Sequence, residues 1–419
     1  MSAPLDHRPG GAATPTAGSL RGRATWAVLT ALLFAPTASA LTFTGLGFAP
    51  GHGQSSSAFG VSADGRYVVG SSQSASETRA AVWDTTTGAV QVLPDLPGGI
   101  TYGSAEGVSA NGTRIVGVGA GSTGLAATWW PNDGSAVHAL GDPPGGLSTG
   151  FAYGVSADGT RIVGYGSDSA GRQPVVWDAA TAVPTVLGDL PGGSVDGIAF
   201  AASADGSIVV GYASGAQGIE AFRWSAATGS MTGLGFLPGG AGSTSVAYGV
   251  SADGNVVVGY STSPNGQQAF RWTAATGLMT GLGDLPGGGF SSTALATSAD
   301  GSVVVGYGTT SLGQEAFVWD AVSGMRRLAD VLAAGGADVT GWRLEQARAI
   351  SPDGRVIVGY GLDPLGTRQA WLATLDTPVP VPEPHAGPLA LVALLTALGT
   401  GSLGRKRSRV STRPASPTS

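Results

Sequence analysis

The chain has 419 residues, with 71 glycines, no cysteine and only 11% charged residues. The lack of cysteine excludes a disulfide scaffold, a thiolate metal site and a cysteine nucleophile. A hydrophobic content of 42% excludes disorder throughout. Residues 41–380 carry 13 arginines, no lysine and 25 acidic residues, a net −12, without the basic footprint that DNA, RNA or an anionic polysaccharide needs.

Residues 1–40 read as a secretory signal peptide. His7, Arg8, Arg21 and Arg23 form a basic leader, Trp26 to Phe34 is an apolar run, and Ala38-Ser39-Ala40 is an A-x-A cleavage site. The competing readings are a membrane anchor and a buried helix, but the run is shorter than the roughly 20 residues of a spanning helix. The long basic leader leaves the true start codon undecided.

Residues 41–376 repeat. Ser-Ala-Asp-Gly or a close variant begins at Ser62, Ser109, Ser156, Ser203, Ser251, Ser298 and Ser351, with spacings of 47, 47, 47, 48, 47 and 53. Each unit holds four strand-like pieces. One runs into the anchor, and a second, rich in β-branched residues, follows its Asp-Gly, a strong hairpin signal. A third carries an aromatic, and a fourth ends at Pro-Gly-Gly, which cannot continue a ladder. Four short antiparallel strands per unit predict an all-β, seven-bladed β-propeller; a β-solenoid is the alternative. Twenty-one residues after the anchors stand Trp83, Trp130, Trp177, Trp224, Trp272 and Trp319, then Leu372 beside Trp371. These rings are expected to pack between blades.

The seventh unit has no fourth strand of its own. Pro50 precedes Ser62 by 12 residues, as Pro97 precedes Ser109, so Thr42 to Gly47 is a fourth strand in register with no earlier unit. It is expected to complete the last blade and close the ring. Arg327 to Gly336 replaces the usual crossing and reads as a short helical turn.

Candidate chemistry is sparse. Only His52 and His138 lie in the repeat region, with no metal-ligand spacing. His52 reads as an exposed loop residue. The anchor aspartates, single and followed by glycine, read as turn formers rather than calcium ligands. The exception to the copying is a position three residues before each anchor serine, occupied by Phe59, Glu106, Tyr153, Phe200, Tyr248, Leu295 and Arg348. Variation there suggests a ligand face, with Phe59, Tyr153, Phe200 and Tyr248 as its aromatic members. No catalytic residue, cofactor or metal ligand is predicted.

A Pro-rich linker spans 377–386, an apolar segment expected to cross the membrane spans 387–404, and a basic tail spans 405–419. The order Val381-Pro382-Glu383-Pro384, apolar segment, then Arg405-Lys406-Arg407 resembles the PEP-CTERM sorting signal of Gram-negative bacteria. That resemblance implies an exosortase-type processing partner, transient inner-membrane anchoring and an exported, cell-surface or extracellular location. The Ala-Phe pairs (Ala221-Phe222, Ala269-Phe270, Ala316-Phe317) and Leu-Gly-Asp-Leu-Pro-Gly-Gly crossings resemble the HAF family of extracellular repeats. Glu220, Gln268 and Glu315 stand where that family has histidine. Together the resemblances imply a non-catalytic binding or structural module associated with exopolysaccharide, biofilm or surface proteins. The alternative is an extracellular carbohydrate-active enzyme on the same scaffold.

Overall fold

The computed structural model describes residues 41–146, 149–240 and 244–375. The signal-peptide residues Ala38 and Ala40 lie outside them, as do the sorting residues Val381, Pro382, Glu383, Pro384, Arg405, Lys406 and Arg407 and the apolar segment 387–404. Among the described residues no helix is long and apolar enough to cross a membrane.

The repeat region is built of antiparallel meanders, where a β-solenoid would need parallel coils. In the first repeat Ser55–Val61, Tyr67–Gln73, Thr78–Asp84 and Ala89–Val92 pair in chain order. The hairpin between the first two strands is made by the anchor. Ser62 Oγ donates to Asp64 Oδ1 at 2.6 Å, and that same carboxylate oxygen accepts the Arg66 N–H at 3.0 Å. Ser62 Oγ also accepts the Tyr67 N–H at 2.9 Å. The same three bonds recur at Ser156 with Asp158 and at Ser251 with Asp253. At Ser109 the partner is Asn111. Asp and Asn both fit because the turn needs only the side-chain oxygen.

Successive anchors are stitched together. Ala63 N–H donates to Ala110 O, Ala110 to Ala157, Ala157 to Ala204, Ala204 to Ala252, Ala252 to Ala299 and Ala299 to Pro352, all at 2.9–3.0 Å. Pro352 has no N–H with which to continue the series to Ala63. Packing spans that seam instead. Among the described residues seven apolar clusters each join one repeat to the next. One of them packs Ala58, Val68 and Trp83 of the first repeat against Val358 and Ala370 of the last.

The opening strand supplies the second closure. Thr42–Gly47 pairs antiparallel with Arg368–Thr374, from Thr42↔Thr374 to Gly47↔Ala370. The order of that sheet is Thr42–Gly47, Arg368–Thr374, Val356–Leu362 and Arg343–Ile350. Phe43 meets Trp342 edge-on at 5.0 Å. Ser56 Oγ donates to Gly47 O at 2.7 Å and accepts the Ala370 N–H at 3.0 Å, tying both chain ends to the first repeat. The helical turn expected before the last repeat forms as Leu328–Ala334, with Leu328 and Leu332 buried between repeats.

The aromatic expectation needs correction. Trp83, Trp130 and Trp177 are 2% exposed or less, and Trp371 rather than Leu372 is fully buried in the last repeat. In the fourth and sixth repeats Phe222 and Phe317, two residues earlier, occupy the inter-repeat core, and Trp224 and Trp319 move to half-buried positions. In the fifth repeat Phe270 and Trp272 are both buried in the same cluster, so a Phe–x–Trp strand places its phenylalanine in the core each time and its tryptophan only there.

Every first strand bulges at one place. Ala58 pairs with Gly70 and Gly60 with Val69, leaving Phe59 as the extra residue. The same shift isolates Glu106, Tyr153, Phe200, Tyr248, Leu295 and Arg348. The facing glycine is required by close approach. A Cβ on Gly70 would lie 1.9 Å from Ser57 O. At Gly117, Gly164, Gly211, Gly259, Gly306 and Gly359 the equivalent distance is 1.8–2.0 Å.

Two stability predictions follow from this geometry. Gly259→Ala must displace the Val246 carbonyl and is expected to cost about 1–3 kcal/mol or more in chemical denaturation. Gly53→Ala, with nothing within 4 Å of the new atom, should stay within about 0.5 kcal/mol; equal costs would contradict the close approach. Deleting residues 41–51 should lower the thermal midpoint by roughly 5 °C or more, and an unchanged melt would refute closure by the opening strand.

Candidate functional site

A β-bulge redirects the side chain of its extra residue. Here the bulges direct seven side chains to one place: Phe59, Glu106, Tyr153, Phe200, Tyr248, Leu295 and Arg348 together line a single open space. The four aromatic residues expected as a ligand face are therefore brought together, and three further residues join them. Toward the anchors lies a second tier that includes Val61, Val108, Val155 and Ile350, followed by Ala63 and its equivalents. That tier is lined by small, mostly apolar side chains, so the polar and aromatic chemistry belongs to the tier of bulge residues.

The aromatic members form an arc. Ring centroids lie 5.0 Å apart for Tyr153 and Phe200 and 4.8 Å for Phe200 and Tyr248. The arc extends outward through Phe151, stacked on Tyr153 at 5.9 Å and on Tyr165 at 5.5 Å, and through Tyr260, 6.1 Å from Tyr248. Burial pushes the Tyr153 and Tyr248 phenols well above their ordinary range, so both hydroxyls stay protonated and able to donate.

The opposite side of the mouth is charged. Phe59 sits between Glu106 of the second repeat and Arg348 of the last. The Arg348 guanidinium lies 5.2 Å from the Phe59 ring centroid, a cation–π contact. Glu106 is enclosed by protein and opens only on to the channel. Burial raises its carboxyl pKa; the Ser104 hydroxyl, donating at 2.6 Å, and the Arg348 charge partly offset that rise. Sequence reasoning singled out the aromatic members and passed over this pair. The signal was present, since these are the only two charged residues at the seven varying positions.

The histidines lie elsewhere. His52, expected on an exposed loop, is 6% exposed. Its Nδ1 lies 3.2 Å from Ser72 O and its Nε2 3.0 Å from Glu77 Oε1, because the crossing folds back over the second strand. His138 stacks on Trp129 at 4.1 Å, and Arg114 also lies 4.1 Å from that ring. Glu220 and Glu315 act structurally. Glu220 Oε1 accepts the Gly235 N–H at 2.8 Å, and buried Glu315 pairs with Arg327 and Thr310. Among the described residues no group of three or more His, Asp or Glu is placed to hold a metal ion.

No known family profile and no curated protein matches the chain. Solved structures do resemble it. An oligogalacturonate lyase from Vibrio parahaemolyticus aligns with a TM-score of 0.51 at 10% identity, over 82% of this chain and 98% of that one. An oligogalacturonate lyase in complex with manganese gives 0.49 at 14%, over 80% and 97%. TolB from Acinetobacter baumannii gives 0.42 at 16%, over 74% and 81%. At such identities the likeness shows the fold alone, an all-β, propeller-like one. The expectation of a non-catalytic exopolysaccharide or biofilm module does not stand: the similar structure with a TM-score above 0.5 is an oligogalacturonate lyase.

Glu106 gives a pH-dependent prediction. Its folded pKa is raised, so the folded state holds a proton that the unfolded chain releases, and stability falls as pH rises through that interval. Glu106→Gln keeps an acceptor for Ser104 and removes the buried charge. It should raise the thermal midpoint at pH 8 and leave it unchanged at pH 4. An equal gain at both pH values would contradict the burial argument.

Proposed function

We propose that the chain is a seven-bladed β-propeller that binds a small, ring-bearing organic molecule at its axial mouth. The observation that supports this reading is the bulge ring. Each inner strand delivers the side chain of its bulge residue, which differs from repeat to repeat, to the same open space. A purely structural channel would be served by copies of one residue. Three adjoining rings from consecutive repeats, Tyr153, Phe200 and Tyr248, instead make a surface on which a flat ring can stack. The signal-peptide-like segment 1–40 supports an exported protein that meets this ligand outside the cytoplasm.

The test is a panel of monosaccharides and hydroxylated benzene derivatives, titrated into the full chain and followed by saturation-transfer NMR. At least one ring compound should bind. Each aromatic contact is worth about 0.5–1.5 kcal/mol, so Tyr153→Ala with Tyr248→Ala should weaken it roughly tenfold or more. Binding that survives the double substitution, or a panel in which nothing binds, would overturn the reading.

A further inference from the structure

We infer that Arg348 is a carboxylate receptor, and that the ligand of the axial mouth is a ring-bearing carboxylate, a class that includes uronic sugars and aromatic acids. The inference rests on the mouth being a binding site and adds the charge of what it binds.

The argument starts from the arginine inventory. Residues 41–375 contain 13 arginines. Twelve of them have a partner. Arg66, Arg79, Arg161, Arg172, Arg326, Arg327, Arg343, Arg355 and Arg368 face carboxylates. Arg114, Arg223 and Arg271 donate to the backbone carbonyls of Ala179, Gly254 and Gly301. Arg348 alone has no hydrogen bond or ion pair with the described residues; its Nε is buried without an acceptor, as are those of Arg79, Arg326, Arg327 and Arg343, which bond through their other nitrogens. In a domain of net −12 this is conspicuous, since acidic partners are plentiful. A half-buried guanidinium group whose Nε has no acceptor carries a desolvation cost. It is most economically explained by an acceptor that arrives from outside.

The surroundings narrow the class. Arg348 projects from a bulge into the mouth beside Phe59, which holds the guanidinium group by its ring face and leaves the fork of donors free. That planar fork matches a carboxylate in bidentate geometry. Glu106 does not supply the missing acceptor: it is hydrogen-bonded to Ser104, and no ion pair joins it to Arg348. Across the mouth, Tyr248 and Phe200 offer the stacking face. A ligand with its carboxylate on Arg348 can thus rest its ring on the arc and present a polar group to Glu106. A multiply charged polyanion does not fit, because Arg348 is the only cation in the ring of seven.

The experiment compares matched pairs on the full chain by calorimetry: D-glucuronate against D-glucose, and 4-hydroxybenzoate against 4-hydroxybenzyl alcohol. The acid of at least one pair should bind tenfold or more tighter than its neutral partner; which pair responds identifies the ring type. Arg348→Gln should abolish that preference, so that acid and neutral partner bind alike. Arg348→Lys should retain part of it, and thermal melts of both variants check folding. Equal binding of acid and neutral partner, or a preference that persists in Arg348→Gln, would overturn the inference. Neutral-ligand binding that is lost on Tyr153→Ala would then still support the mouth as a site, so the two claims fail separately.

Discussion

Seven carbonyl oxygens set directly over seven glycines organise this molecule. In every repeat the inner strand carries one residue too many, and the carbonyl just before the bulge occupies the volume that a Cβ on the neighbouring strand would fill. The glycine and the bulge are therefore one feature seen on two strands. Without the glycine the strand would have to pair regularly, and its varying side chain would lose the extra half-turn that directs it to the axis. The anchor turns, the stitched alanines and the opening strand hold the strands in a ring; the bulges decide what the ring's interior displays.

That division explains why one tier is chemically rich and its neighbour is bland. Residues that maintain repeat-to-repeat contact are copied, because each meets the same partner seven times. The bulge residue lines open space on one side and is free to differ. The outcome is asymmetric: an aromatic arc from Tyr153 to Tyr248 faces a charged sector in which Phe59 separates Glu106 from Arg348. The separation leaves the carboxyl group enclosed and hydrogen-bonded to Ser104, and the guanidinium group without an acceptor. Two opposite charges in one mouth that do not meet leave room for a third group.

The repeat, its hairpins and the orphan opening strand were legible in the sequence because each depends on local chemistry: Asp-Gly turns, β-branched runs and Pro-Gly-Gly crossings. Thr42–Gly47 pairs where counting places it. The varying position was visible as an exception to copying, but the bulge that gives it meaning was not, since an extra residue leaves no mark on hydrophobic alternation. Trp83 is buried while Trp224 gives its place in the core to Phe222, a competition for space between repeats that periodicity alone does not rank. His52 was misplaced for a similar reason. A loop that folds back over its own repeat buries a residue that local composition assigns to the surface.

The central claim is that residues about one repeat apart in sequence meet at a common axis. The most direct measurement is side-chain nuclear Overhauser contact in the full chain with selectively labelled phenylalanine and tyrosine. Phe200 should show contacts to both Tyr153 and Tyr248, whose rings lie 5.0 and 4.8 Å away. Their absence, with Phe200 in contact only with residues of its own repeat, would contradict the convergence of the bulges on one mouth.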